Sequence, residues 1–61
     1  MKQTFNIPNH DCVYEVTLDN LTILRIVKDY LDSPLQREVK YENLPEDIQE
    51  VIGERIRELN E

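Results

Sequence analysis

The run CVYEVTL alternates between two kinds of side chain, and this alternation constrains the fold more than any other feature of the chain. One face carries Tyr14, Val16 and Leu18, and the other carries Val13, Glu15 and Thr17. β-Branched and aromatic residues at a period of two are typical of a half-buried strand. The preceding run QTFNI also alternates, and the intervening PNHD is rich in turn residues. The sequence therefore predicts an antiparallel hairpin with strands near residues 3–7 and 12–18.

The next segment, LTILRIVKDYL, is interpreted as a helix over residues 20–32. Asp19 or Asn20 is placed to cap its start, and Pro34 disfavours helical backbone at the residue before it. Plotted on a helix, the apolar residues cover more than half of the circumference, whereas packing on one sheet face needs a stripe little over about 100° wide. The excess predicts either a position between the sheet and another helix, or a dimer interface formed by Ile23, Ile26 and Tyr30.

A third strand near residues 36–41 and a second helix near residues 45–59 complete the predicted fold. The charges of the strand favour a sheet edge. Asn43 and Glu46 have capping-box spacing, and Pro45 suits the first helical turn. Gly53 inside the helix predicts the close approach of another backbone, with a hinge as the alternative. The resulting prediction is one α+β domain over residues 1–61, with a small antiparallel sheet and two helices in the order β-β-α-β-α.

Size and charge restrict the functional classes. A 61-residue chain buries only about 60% of the surface that its unfolded form exposes, and its single cysteine, Cys12, excludes an internal disulfide. A homodimer is therefore the expected aid to stability. Thirteen acidic against seven basic residues give a net charge of −6. This charge disfavours direct binding to nucleic acid or to anionic membranes. No run approaches the roughly 20 apolar residues that span a bilayer, and the start MKQTFNIPNH lacks the apolar core of a secretion signal, so we expect a soluble, cytoplasmic protein.

The tripeptide His10-Asp11-Cys12 contains residue types used in catalysis and metal binding. Consecutive side chains diverge, so they do not form a catalytic triad. His10 and Cys12 could share a strand face and supply half of a zinc site, which a dimer could complete. A satisfied turn histidine and a small buried thiol are the preferred interpretation. We therefore predict no enzymatic activity, no cofactor and no metal.

The most informative surface feature is a column of glutamates on the last helix, at Glu46, Glu50, Glu54 and Glu58, with Asp47 beside it. Like charges at this spacing destabilise a helix by roughly 0.2–0.5 kcal/mol per pair, and an ion pair of Arg57 with Glu54 would offset part of this. The column is either a solvated face or a surface that binds lysines and arginines of a protein partner.

The functional prediction is a non-enzymatic protein-interaction domain that binds a basic protein surface through this column. A narrower form is a small inhibitor, of the kind found in phages and other mobile elements, that imitates DNA phosphates. The alternative is a structural or assembly subunit that dimerises through the apolar first helix.

Overall fold

A computed structural model describes all 61 residues, Met1–Glu61, as a four-stranded antiparallel sheet with one helix. The strands follow one another in the order β1-β2-β3-β4, each pairing with the next. The elements are β1 Lys2–Asn9, β2 Cys12–Asp19, β3 Thr22–Tyr30, β4 Gln36–Glu38, a 3-10 turn Tyr41–Asn43 and α1 Glu46–Leu59.

The structure confirms the predicted hairpin, the edge strand and the last helix as types of element, although their bounds differ. β1 and β2 pair in antiparallel register, with Asn9 opposite Cys12 across a two-residue turn. Along β2, every second residue from Cys12 to Leu18 is buried, as the alternation predicts. The predicted strand at 36–41 is shorter than expected, because only Gln36–Glu38 forms β4 at the edge of the sheet.

The predicted helix over residues 20–32 is wrong, because this segment forms β3. Asn20 and Leu21 have φ of 53° and 68°, and they form a two-residue turn between Asp19 and Thr22. Positive φ at both central residues is the geometry of a type I′ turn, which joins paired strands. The residues interpreted as a helix cap thus make a second hairpin, and the element order is β-β-β-β-α with one 3-10 turn.

A β-bulge in β3 places its apolar residues on the helix-covered side of the sheet. Leu18 pairs with Ile23 and Thr17 pairs with Arg25, so Leu24 is an additional residue without a cross-strand partner. Such an extra residue shifts the alternation by one position. Ile23 and Ile26 therefore point to the same side although they are three residues apart.

The hydrophobic core lies between the inner face of the sheet and α1. Its nine buried members come from β1, β2, β3 and the segment Leu44–Ile52: Ile7, Cys12, Tyr14, Val16, Leu18, Ile26, Leu44, Ile48 and Ile52. Val16 and Ile52 are fully buried. The core is thus a two-layer contact, and α1 covers the sheet by itself.

Two predicted details of α1 are also wrong. The capping box is absent, because the helix starts at Glu46 with Pro45 as its N-cap and no side-chain cap bond, while Asn43 ends the 3-10 turn. No atom of another segment lies within 4 Å of the position that a Cβ on Gly53 would take, so no backbone approaches closely there.

The turn at Leu21 gives the first testable prediction. A leucine in left-handed backbone is disfavoured by roughly 1–2 kcal/mol, and Asn-Gly is the preferred pair for a type I′ turn. We expect Leu21→Gly to raise the free energy of unfolding by about 0.5–1 kcal/mol in urea denaturation, after the entropic cost of glycine. Leu24→Gly, in β3 and without a positive φ, is the control and should lower it. A loss of stability in Leu21→Gly would contradict the turn assignment.

Candidate protein-interaction face

All five predicted partner-binding acids lie on α1, and all are exposed: Glu46, Asp47, Glu50, Glu54 and Glu58. The opposite side of the helix is anchored by Ile48 and Ile52, which are 3% and 0% exposed. Because the buried side holds the helix against the sheet, the backbone beneath the acids is fixed. We call these five acids the acidic helix face.

None of these acids has an ion-pair partner within the chain. The two ion pairs in the structure join the Met1 amino group to Asp19 at 3.7 Å and Arg25 to Glu38 at 3.8 Å. The predicted pair between Arg57 and Glu54 does not form. Residues 46–61 contain six acids and two arginines, so this segment carries −4 of the net charge of −6. The acidic helix face is therefore the main source of the negative field.

The glutamates form a slanted line because four residues exceed one helical turn by about 40°. Successive glutamates lie roughly 6 Å apart along the axis. Glu46 and Asp47, in the first turn, are favoured by the helix dipole. Arg55 lies over Phe5 of β1, with its guanidinium carbon 5.0 Å from the ring centroid. Arg55 thus marks the side of α1 that faces β1.

The predicted dimer residues do not form one surface stripe. Ile26 is 2% exposed and belongs to the core, and Ile23 is partly buried against that core. Tyr30 lies at the opposite end of β3 and is half-buried. The excess of apolar circumference that predicts this interface is a property of a helix, whereas Thr22–Tyr30 is a strand. Dimerisation itself stays a prediction.

A tyrosine–lysine cluster occupies the end of the sheet near Cys12. The Lys28 ammonium lies 4.9 Å from the Tyr30 ring centroid and 5.9 Å from that of Tyr14. Burial raises the pKa of the Tyr14 hydroxyl, partly opposed by the charge of Lys28. The pKa of Lys28 is also raised, chiefly by its electrostatic interaction with Tyr14. Both shifts favour the protonated forms, so the cluster supplies neither a general base nor a nucleophile near neutral pH.

His10 and Cys12 are separated by the hairpin geometry. His10 is exposed in the turn with a φ of 38°, whereas the Cys12 thiol is buried. No three side chains of histidine, cysteine, aspartate or glutamate converge on a point where they could hold a metal ion.

The sequence did not predict a groove of about 490 Å³ beside β3. Residues 23–26 form one wall and residues 38–42 form the other, because β4 pairs only with residues 27–29 of β3. Arg25 and Lys40 balance Glu38 and Glu42 in its lining. A helix over residues 20–32 leaves no place for this groove, since the groove exists only beside an incompletely paired strand.

No helix in the structure has both the length and the apolar character needed to cross a membrane. Comparison with known protein families, with curated proteins and with solved structures found no match to this chain. A functional proposal consequently rests on surface geometry and charge.

Proposed function

We propose that this chain is a non-enzymatic, cytoplasmic protein-interaction domain that binds a basic surface of another protein through its acidic helix face. One observation supports this proposal above the others. Five exposed acids lie on a helix whose other side is locked into the core, and none of them is paired within the chain. Unpaired charges on a fixed scaffold attract a complementary surface and increase the rate of encounter.

The free-energy cost of placing like charges along α1 supports the same proposal. Glu54 and Glu58 lie beyond the first turn of α1, where the helix dipole no longer favours negative charge, and Glu58 lies in the last turn, where the dipole disfavours it. Neither residue gains an ion pair in compensation. Glutamine or lysine would keep the helix formed at these positions. Binding a cationic partner supplies the compensation that the isolated chain lacks.

A narrower proposal is that the line of carboxylates imitates nucleic-acid phosphates and occupies the binding cleft of a nucleic-acid-binding protein. The small size and high negative charge of the chain support this form. It requires that duplex DNA compete with this chain for the same protein. If DNA does not compete with a bound partner, the narrower form fails and the general form stands.

The assembly-subunit alternative loses its original basis, because the apolar first helix does not exist. Ile26 is committed to the core of its own chain and has no surface left for a second one.

The triple variant Glu50→Gln, Glu54→Gln, Glu58→Gln tests the acidic helix face. The probe is a lysine- and arginine-rich peptide, and its Kd is measured by fluorescence anisotropy. At low salt we expect the variant to bind about three- to tenfold more weakly, since each exposed ion pair contributes roughly 0.2–1 kcal/mol. The difference should vanish near 1 M salt, where the screening length is about 3 Å. Circular dichroism should show an unchanged fold.

A matched control removes three acids from elsewhere on the surface, as Asp11→Asn, Glu15→Gln and Asp32→Asn. These side chains are exposed and lie outside α1. The control has the same net charge as the test variant, so it should bind the peptide nearly as well as the unmodified chain. Equal weakening in both variants would show that only net charge matters, and the proposal for the acidic helix face would be wrong.

A further inference from the structure

The outer edge of β1 is a row of unpaired backbone groups. β1 pairs with β2 on one side only, so its other side is a free edge of the sheet. The Met1 carbonyl accepts a hydrogen bond from the Asn20 N–H at 3.3 Å, which places the backbone groups of the odd-numbered residues toward β2. Because the two sides alternate along an antiparallel strand, Lys2, Thr4 and Asn6 direct their N–H and C=O groups outward. Pro8 has no N–H to lose and occupies the next outward position.

The edge is protected only at its ends. Lysine and proline are residues that discourage strand addition, and β1 has Lys2 near its start and Pro8 near its end. The five residues between them carry neither a charge nor a proline. The opposite edge of the sheet is β4, which has only three residues, two of them charged. β1 therefore has the longest accessible stretch of unpaired backbone.

Charge identifies the occupant of this edge. Every other strand and α1 contain at least one acid, whereas β1 contains none and has a single lysine. A twofold contact brings a surface against itself, so two chains that each carry a net charge of −6 repel each other least directly where the paired strands contain no acids. In an antiparallel pairing, the two copies place their Lys2 residues at opposite ends of the contact. The two Lys2 residues are about 20 Å apart when each faces Pro8 of the other copy.

The faces of the sheet restrict the register. Residues that lie opposite each other must share a face, so even-numbered residues pair with even-numbered ones. Pairing Thr4 with Asn6 of the second copy uses the outward donors of both residues and sets Phe5 opposite Phe5 on the helix-covered side. Phe5 is only half-buried, and Arg55 of its own chain covers the ring. Val51, one turn before Arg55, is 39% exposed. Val51 and Arg55 of each copy would flank the contact.

We propose that two copies of this chain associate through the outer edges of β1 in a twofold, antiparallel pairing that joins their sheets into one of eight strands. This inference is independent of the proposed function. Such a dimer would nevertheless affect the proposed function. The two α1 helices would lie on the same side of the joined sheet and present two acidic helix faces together.

Thr4→Pro tests the pairing, with Thr4→Val as its matched control. Both changes remove the Thr4 hydroxyl, which contacts Thr17 at 3.4 Å, but only proline removes the outward N–H. The outward position tolerates proline, as Pro8 shows. By symmetry two hydrogen bonds are lost, so we expect Thr4→Pro to weaken dimerisation about tenfold or more in sedimentation equilibrium. Thr4→Val should dimerise like the unmodified chain. Added salt should strengthen the dimer, because it screens repulsion between the copies.

Amide hydrogen exchange of the unmodified chain locates the contact without any substitution. The N–H groups of Thr4 and Asn6 should exchange more slowly as concentration rises from micromolar to millimolar, and those of residues 23–26 should not change. A monomer throughout this range would overturn the proposal. Dimerisation of Thr4→Pro equal to that of Thr4→Val, or concentration-dependent protection at residues 23–26 instead, would also overturn it.

Discussion

Replacing Ile26 with lysine is expected to unfold the domain. The side chain is 2% exposed and lies between the sheet and α1. The substitution places an ammonium group in the core, where no acid is buried to pair with it. An uncompensated buried charge costs several kcal/mol, in addition to about 1.5–3 kcal/mol of lost apolar burial. A chain of this length has a total stability of roughly 3–9 kcal/mol, so the variant should show no cooperative thermal transition by circular dichroism.

Leu24→Lys is the control, two residues away in the same strand. Leu24 is 54% exposed and has no cross-strand partner, so its replacement should change the free energy of unfolding by only about 0.5 kcal/mol. The two variants distinguish the strand β3, in which Ile26 is a core residue, from the predicted helix, in which Ile26 lies at a dimer interface. If Ile26→Lys folds and only loses self-association, Ile26 is a surface residue and the assignment of β3 to the core is wrong.

Ile52→Ala should be the second most damaging change. Ile52 is fully buried on the inner side of α1. Truncation of a buried isoleucine costs roughly 2–5 kcal/mol, because it removes apolar contacts and leaves a cavity. In a domain of this size that loss lowers Tm by about 10–30 °C, measured by thermal denaturation.

Val51→Ala gives the matched comparison, since it truncates a β-branched residue on the same helix. Val51 is 39% exposed, and alanine has the higher helix propensity, so Tm should change by only a few degrees. Similar losses for both variants would mean that α1 does not pack on the sheet through Ile52. The acidic helix face would then lack the fixed backbone that its proposed function requires.

The sequence determined the elements whose periodicity is unambiguous. The alternation in Cys12–Leu18 has a period of two and no competing helical interpretation, and it forms β2, one of the two inner strands of the sheet. Ile48 and Ile52 recur at helical spacing, and they became the buried side of α1. The exposure of the five acids could be predicted in the same way, because charged residues avoid a core that offers no partner.

The sequence alone did not determine β3, and the bulge at Leu24 explains why. A regular strand places inward residues two apart, but the extra residue leaves Ile23 and Ile26 facing the core at a spacing of three. A spacing of three is also a helical spacing, so the local pattern fits both structures. Pairing with β2 decides between them, because it is a contact between segments that no single-segment pattern contains.

The same limit applies to the surfaces. The spacing of the sequence places four glutamates on one helical line: Glu46, Glu50, Glu54 and Glu58. Their lack of ion-pair partners depends on where distant arginines lie in the tertiary structure. The free edge of β1 likewise depends on which strands become its neighbours. Local chemistry therefore determined the face of each element, and tertiary pairing alone decided which faces and edges remain available to another molecule.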